Sequence, residues 1–305
     1  MVIAARPSEI TLPPERERYA TVYAFLLAKF PRIAAEVWQS RIEQGKVFWH
    51  DGPLIQLDTP FQPSRRLCYY REVSAEPQVP FTHQIIFQNE HLLVACKPHY
   101  LPVIPGGDFV NECLLERVRA QSKVADLAPV HRLDKETAGL VMFSCNSESR
   151  ALYHQLFATG QIEKSYLAVA KLPLTMQNLA IGSEFQVENR LEKANPRFLM
   201  QVIPGEVNAR SRLKLIGKKG DLALFRLWPL TGKTHQLRLH MQAIGTPIFH
   251  DKYYPELLAK QQDFSLTPLQ LLAQQLRFID PVCGSARVFC SNRQLEAWPE
   301  PVLEE

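Results

Sequence analysis

The sequence predicts an α+β protein. One large domain is expected on a mainly antiparallel, mixed β-sheet flanked by helices and loops, with a small α/β domain ahead of it. Three observations lead there. Beyond residue 84, strand-like and helix-like segments mix irregularly with no repeating βα unit, which disfavours Rossmann and barrel arrangements. Residues 20–45 carry two short helical periodicities and are followed by strand-like segments. SAEPQVPFTHQ (74–84) holds two prolines and few apolar side chains, so it reads as a linker. The expected boundaries are 1–75 for the small domain, 76–84 for the linker and 85–305 for the large domain.

The elements follow in order. Val22, Phe25 and Leu26, then Ile33, Val37 and Ile42, space out two helices broken near Pro31. GKVFWHDG reads as a strand entering a turn, and LCYYREV (67–73) as another strand. IIFQNEHLLVACKP is a hairpin through Gln-Asn-Glu. A helix is expected from about residue 110, then a strand over LVMFSCN (140–146). SESRALYHQLFATG is a helix with Ser147 as N-cap, Leu152, Leu156 and Phe157 as its apolar stripe and Gly160 as its stop. SYLAVA (165–170) is a strand. A later helix is expected with Thr234 as N-cap and Gly245 as stop, its Leu237, Met241 and Ile244 facing the core.

Composition bounds the function. A chain of 305 residues with 46% apolar and 22% charged side chains can bury a core without staples. Its six cysteines are scattered with no C-x-x-C pair, so neither a zinc ribbon nor a redox motif is suggested, and a reducing compartment fits. The first twenty residues lack the apolar core of a secretory signal. No stretch approaches the ~20 apolar residues that span a bilayer. The expectation is a soluble, cytoplasmic protein with no membrane partner. Net charge is only +4, but residues 206–252 hold nine Lys/Arg against three acids. Such a local field suits phosphate binding, and a solvated strand face is the plain alternative.

Three segments carry chemistry. HRLDKETAGLVMF (131–143) is a polar loop dropping into an apolar strand, and it puts Asp134 at the rim of a sheet. Read alone, Asp134 is a turn residue, with an ion-pair partner or a nucleophile as alternatives. In EKSYLAVA, Lys164 and Tyr166 lie two apart on a strand and share a face. Lys164 could meet a phosphate, and Tyr166 could stack on a base or sit in the core. Arg238 falls in the first turn of the later helix, where the dipole disfavours a cation. It therefore pairs with a carboxylate or a phosphate, and Asp134 is a candidate. The preceding TGK lacks the spacing of a phosphate-binding P-loop, and His235 and His240 are five apart rather than at zinc-binding H-x3-H spacing. No metal site is expected.

Together these segments resemble the pseudouridine synthases of the RluA family. The pattern H-R-L-D-x-x-T-S/A-G-L is matched by His131, Arg132, Leu133, Asp134, Thr137, Ala138, Gly139 and Leu140. K-x-Y is matched by Lys164 and Tyr166. G-R/K-x-H-Q-I/L-R-x-H is matched by Gly232, Lys233, His235, Gln236, Leu237, Arg238 and His240. KP…LPV (97–103) and LQLLAQQLRFIDPV (269–282) look familial as well, so the resemblance covers about residues 82–290. Ala138 stands where Ser is common, His99-Tyr100 where a small residue and Gly are usual, and His250 where Gly is usual. Ahead of this, RIEQGKVFWHDGPL and YYREV resemble an S4-like RNA-binding module, although Phe48-Trp49-His50 departs from its turn entry. A small cap domain is the bland alternative.

The resemblance implies a pseudouridine synthase fold and an isomerase that turns uridine in RNA into pseudouridine without cofactor or metal. It implies Asp134, Tyr166 and Arg238 as the catalytic set. His131, Arg132, Lys164, Lys233, Thr234, His235 and Gln236 would contact the substrate. The partner would be structured RNA, with 23S rRNA favoured and tRNA second, and the protein would act as a monomer. A non-catalytic RNA-binding or ribosome-assembly protein on the same fold is the alternative. Glu136, the other nearby acid, is read as a solvated loop residue.

Overall fold

The computed structural model describes residues 1–15, 18–258 and 267–300. The chain divides into two compact units, Met1–Pro77 with Pro105–Asn111, and Gln78–Ile104 with Glu112–Glu305.

The first unit contains β1 (Val2–Ile3), β2 (Ser8–Thr11), α1 (Val22–Lys29), α2 (Ala35–Glu43), β3 (Val47–Trp49), β4 (Arg66–Tyr69) and β5 (Glu72–Val73). Strands β2-β4-β3 form one small sheet, and β1 pairs with β5. The Thr21 hydroxyl caps α1 by accepting from Ala24 N at 3.1 Å. Pro31, which has no N–H to donate, follows its end. Both helices bury their apolar faces around Phe25, Leu26, Trp38, Val47, Trp49, Leu67 and Tyr69. Full burial of a side chain such as Phe25 or Leu26 contributes about 1.5–3 kcal/mol. LCYYREV is not one strand. β4 ends at Tyr69, with Tyr70 N still donating to Lys46 O, and β5 begins at Glu72 to pair with β1 instead. Residues 105–111 join this unit through Asn111. Its amide donates to Ile3 O and accepts from Ala5 N, while Val110 N and Asn111 N donate to Glu76.

The second unit contains β6 (Gln84–Gln88), β7 (Leu92–Lys97), α3 (Leu114–Ser122), β8 (Ala128–Pro129), β9 (Ala138–Ser144), α4 (Ser147–Ala158) and β10 (Ile162–Lys171). It continues with β11 (Glu184–Lys193), β12 (Met200–Ile203), β13 (Ala209–Lys219), β14 (Leu222–Pro229), α5 (Gln236–Ala243), β15 (Leu271–Ile279) and β16 (Ala286–Cys290). The sheet runs β12-β11-β13-β14-β10-β15-β9-β7-β6, with β16 beside β15 and β8 beside β9. Its named strand pairs are antiparallel except the short β9–β15 seam, so this is the mixed, mainly antiparallel sheet expected. No described helix is long and apolar enough to cross a membrane.

Four local expectations differ. The helix expected from about 110 begins at Leu114, because 105–111 is drawn into the first unit. Asn146, not Ser147, caps α4, its side-chain oxygen accepting from both Ser149 N and Ser149 Oγ. Leu152 is 43% exposed, and Tyr153 and Leu156 make the buried stripe instead. Thr234 does not cap α5. The helix opens at Gln236 after a left-handed His235 (φ 54°).

Two features aim the site. At the β9–β15 seam Gly139 adopts φ +113°, and a Cβ there would overlap the Ala273 carbonyl and amide. Only glycine allows strands this close with that backbone. On the other side of β15, the β10 register shifts between Ser165 and Tyr166. Helix α5 packs Leu237 and Met241, with Ile244 at the edge, onto a cluster that includes Leu213, Phe225 and Tyr166.

Candidate active site

A hollow of about 110 Å³ opens on the α5 face of the sheet. Arg132, Leu133, Asp134, Thr137, Lys164 and Tyr166 line it on one side. Gly232, Lys233, His235, Gln236 and Arg238 line the other. Three segments that are far apart in sequence therefore converge.

Asp134 opens a turn whose Thr137 N–H donates to Asp134 O at 3.2 Å. Its side chain is 26% exposed and stands 3.7 Å from Arg238 Nη1 and 3.8 Å from His235 Nε2. Arg238 is 1% exposed and bound in bidentate fashion to Asp251, Nε to Oδ2 at 2.8 Å and Nη2 to Oδ1 at 2.5 Å. Asp251 in turn accepts the Tyr253 and Tyr254 backbone N–H groups. The guanidinium lies 4.5 Å from the Tyr253 ring centre and 5.3 Å from that of Tyr254. Burial disfavours its charge, but the Asp251 bonds and the nearby Asp134 raise its pKa further still. Its Nη1 is buried with no hydrogen bond among the described residues. A fixed cation thus presents one unspent donor towards Asp134.

Tyr166 lines the hollow half-buried, and burial together with the Asp134 charge pushes its phenol pKa up. Lys164 stands beside it, its pKa lowered by burial, with no carboxylate in ion-pair range among the described residues. Gln236 spends its amide on the loop ahead of α5. Its Oε1 accepts from Thr231 and from Lys233 N, and its Nε2 donates to Arg210 O and Ser211. That brace holds the loop ahead of α5 to β13, and α5 itself has no side-chain cap.

A sequence profile of the RNA pseudouridylate synthase family matches residues 91–243. This chain belongs to that family. The synthase is 31% identical over 223 residues to an RNA pseudouridine synthase of Haemophilus influenzae, covering 73% of this chain and 93% of the relative. It is 29% identical over 219 residues to ribosomal large subunit pseudouridine synthase C of Rickettsia bellii, covering 70% and 69%. Its fold matches human RNA pseudouridylate synthase domain containing 1 with a TM-score of 0.58 at 21% identity, over 76% of this chain and 94% of the human one. The enzyme class is accordingly an isomerase.

Within the synthase, His131 and Thr234 do not join the hollow. His131 Nε2 accepts from Met142 N at 3.1 Å and its ring stacks on Phe157 at 4.5 Å, so it braces the approach to β9. Burial, helped by the Lys164 charge, lowers its pKa to about 3 and keeps it neutral. Thr234 is exposed beside α5. Glu136 is not a solvated loop acid. Its side chain is 14% exposed and accepts from Tyr253 Oη. Burial would raise its pKa, but Lys135 and Arg238 bring it down.

Asp251 is the residue that sequence reasoning missed as a partner. The sign available was an acid ahead of paired tyrosines, 13 residues beyond Arg238. Among the described residues one His/Cys/acid grouping has ligand-like spacing, Glu9, His50 and Cys68 in the first unit. Arg66 already pairs with Glu9 there, which sets a cation against any metal ion.

Proposed function

We propose that this synthase isomerises uridine in structured RNA, with a large-subunit rRNA target first and tRNA second, and that Asp134 is the reacting carboxylate. The observation that carries the reading is Asp134 at the rim of the hollow, 3.7 Å from the open Nη1 of a buried arginine that Asp251 holds still.

The chemistry follows from that arrangement. The bond from C1′ to uracil N1 breaks, and its electron pair leaves on the uracil, delocalised over the carbonyls. Asp134 either attacks C1′ or stabilises the cationic sugar. The freed uracil turns and C5 bonds to C1′, and where Asp134 had attacked, its bond to C1′ breaks with the electron pair returning to the carboxylate. C5 then loses its proton and N1 gains one. Arg238 sets a fixed positive charge 3.7 Å from the Asp134 carboxylate. Tyr166, its phenol held protonated, is the platform for the uracil, which must leave its stack to be reached. Lys164, Arg132 and Lys233 meet phosphates, and His235 bounds the hollow beside Asp134. No cofactor is invoked.

The Rickettsia relative's name supports the rRNA preference. In the same reading residues 1–75 are an S4-like RNA-contacting domain, 76–84 connect it to the catalytic 85–305, and the enzyme works in the cytoplasm as a monomer. Release of tritium from RNA labelled at uridine C5 tests the proposal. Purified wild type is expected to release it, and Asp134→Asn is expected to bind RNA without release. No release by wild type from total cellular RNA overturns the reading. Pseudouridine maps of cells with and without the protein identify the target.

A further inference from the structure

We propose that His99, acting with Lys97, is a positioning residue for Asp134: the two side chains grip the carbonyls of the two residues after it and fix where its carboxylate stands. This rests on the reading of Asp134 as the reacting group.

The need for such a grip is visible at Asp134 itself. Among the described residues its carboxylate makes no hydrogen bond, and its nearest cationic atoms are 3.7 and 3.8 Å away. Its position is therefore inherited from its backbone. That backbone is a turn, and the central carbonyls of a surface turn ordinarily face water. Here both are taken. Lys135 O accepts from Lys97 Nζ at 3.0 Å, and Glu136 O is met by His99 Nδ1 at 2.6 Å.

The gripping groups are themselves held firmly. Lys97 ends β7 and sits opposite Gly139 in the β7–β9 register, so it lies at the level where the loop enters β9. It is 0% exposed, a costly place for an ammonium. It donates to Pro98 O and Leu101 O as well as to Lys135 O, which uses all three of its N–H groups. Burial brings its pKa down to about 7 against the opposing pull of Glu136 and Asp134. Burial likewise brings His99 to about 4, so the ring is neutral and its Nδ1 must carry hydrogen to approach a carbonyl this closely. His99 stands where a small residue was expected from the family resemblance, and a small side chain could not reach Glu136 O. The grip at Glu136 is therefore a feature of this chain.

The clamp acts on geometry, so its loss should appear in the chemical step rather than in RNA binding. His99→Ala is expected to lower single-turnover kcat about 10-fold, less than the ~100-fold that an ångström of misplacement costs. KM and RNA affinity are expected to hold within about twofold, since no group touching RNA is removed. His99→Asn, whose amide N–H reaches the same carbonyl, is expected to regain most of the rate. A wild-type kcat in His99→Ala overturns the proposal, and so does a loss that His99→Asn fails to repair. Asp134→Asn assayed alongside separates the two readings. If it stays active, the role given to Asp134 fails. If it is dead while His99→Ala is fully active, only the clamp fails.

Discussion

Each unit holds a buried ion cluster, and the two are built differently. In the first, Glu72 is met by two cations, Lys46 Nζ at 2.7 Å and Arg41 Nε at 3.2 Å, and the Arg41 guanidinium lies 5.0 Å over the Trp38 ring. In the second, one cation serves two carboxylates. Arg238 is spent on Asp251 and only leans towards Asp134. The first cluster matches both oxygens of its carboxylate, leaves Arg41 Nη1 buried without a partner among the described residues, and ties α2 to the β3 and β5 segments. Among the described residues, the second leaves a carboxylate with no hydrogen bond at the edge of a hollow. Residue types alone do not distinguish a structural ion cluster from a working one. The unmatched carboxylate does.

Breaking the open cluster at its unmatched member has the largest expected effect. Asp134→Asn should lower single-turnover tritium release by at least about 10⁴-fold. Its melting temperature should stay near wild type, because the carboxylate holds no partner closely. Asp251→Asn comes next. It strips a fully buried arginine of its bidentate partner, which should cost about 3–5 kcal/mol of stability. Arg238 is then free to draw Asp134 out of the hollow, and a fall in kcat of about 100-fold is expected from the misplacement. Thermal melts and single-turnover rates check both parts.

The Glu72 cluster should answer only in stability. Glu72→Gln is expected to destabilise by about 2 kcal/mol, short of the ~3–5 kcal/mol of a fully buried pair because Glu72 keeps some solvent. Turnover of bound RNA should be unchanged. The smallest effect is that of acid. Burial would raise the Glu72 pKa, but Lys46 and Arg41 bring it below its ordinary 4.5. A lowered carboxylate gives stability that is complete above the unfolded value and lost as pH falls through the folded one. Melts followed by tryptophan fluorescence should therefore weaken below pH 4.5 in wild type and less so in Glu72→Gln.

What could be read from the sequence follows the range of each interaction. The α1–α2 pair and the β6–β7 hairpin are legible because periodicity and a turn act over a few residues. Asp134, Tyr166 and Arg238 are legible as a set only through motifs, since nothing local says that they meet. The α4 cap is misread by one residue because Asn146 and Ser147 are both good caps and only geometry chooses. Asp251 and the His99 grip are not legible, because each contact closes across a fold whose register is unknown beforehand. Glu136 is misread for a related reason. Its loop folds inward under Tyr253, and composition carries no sign of that.

The seam at Gly139 has a consequence for how this enzyme tolerates change. Strands β9 and β15 meet there backbone to backbone, with no side chain between them. The stand-off between them is thus a matter of peptide dimensions rather than of core volume. Swelling or shrinking the apolar residues around it should shift melting long before it shifts rate. The hollow is anchored to the stiffest ruler that the polypeptide possesses, and the surrounding core can drift without moving the mark.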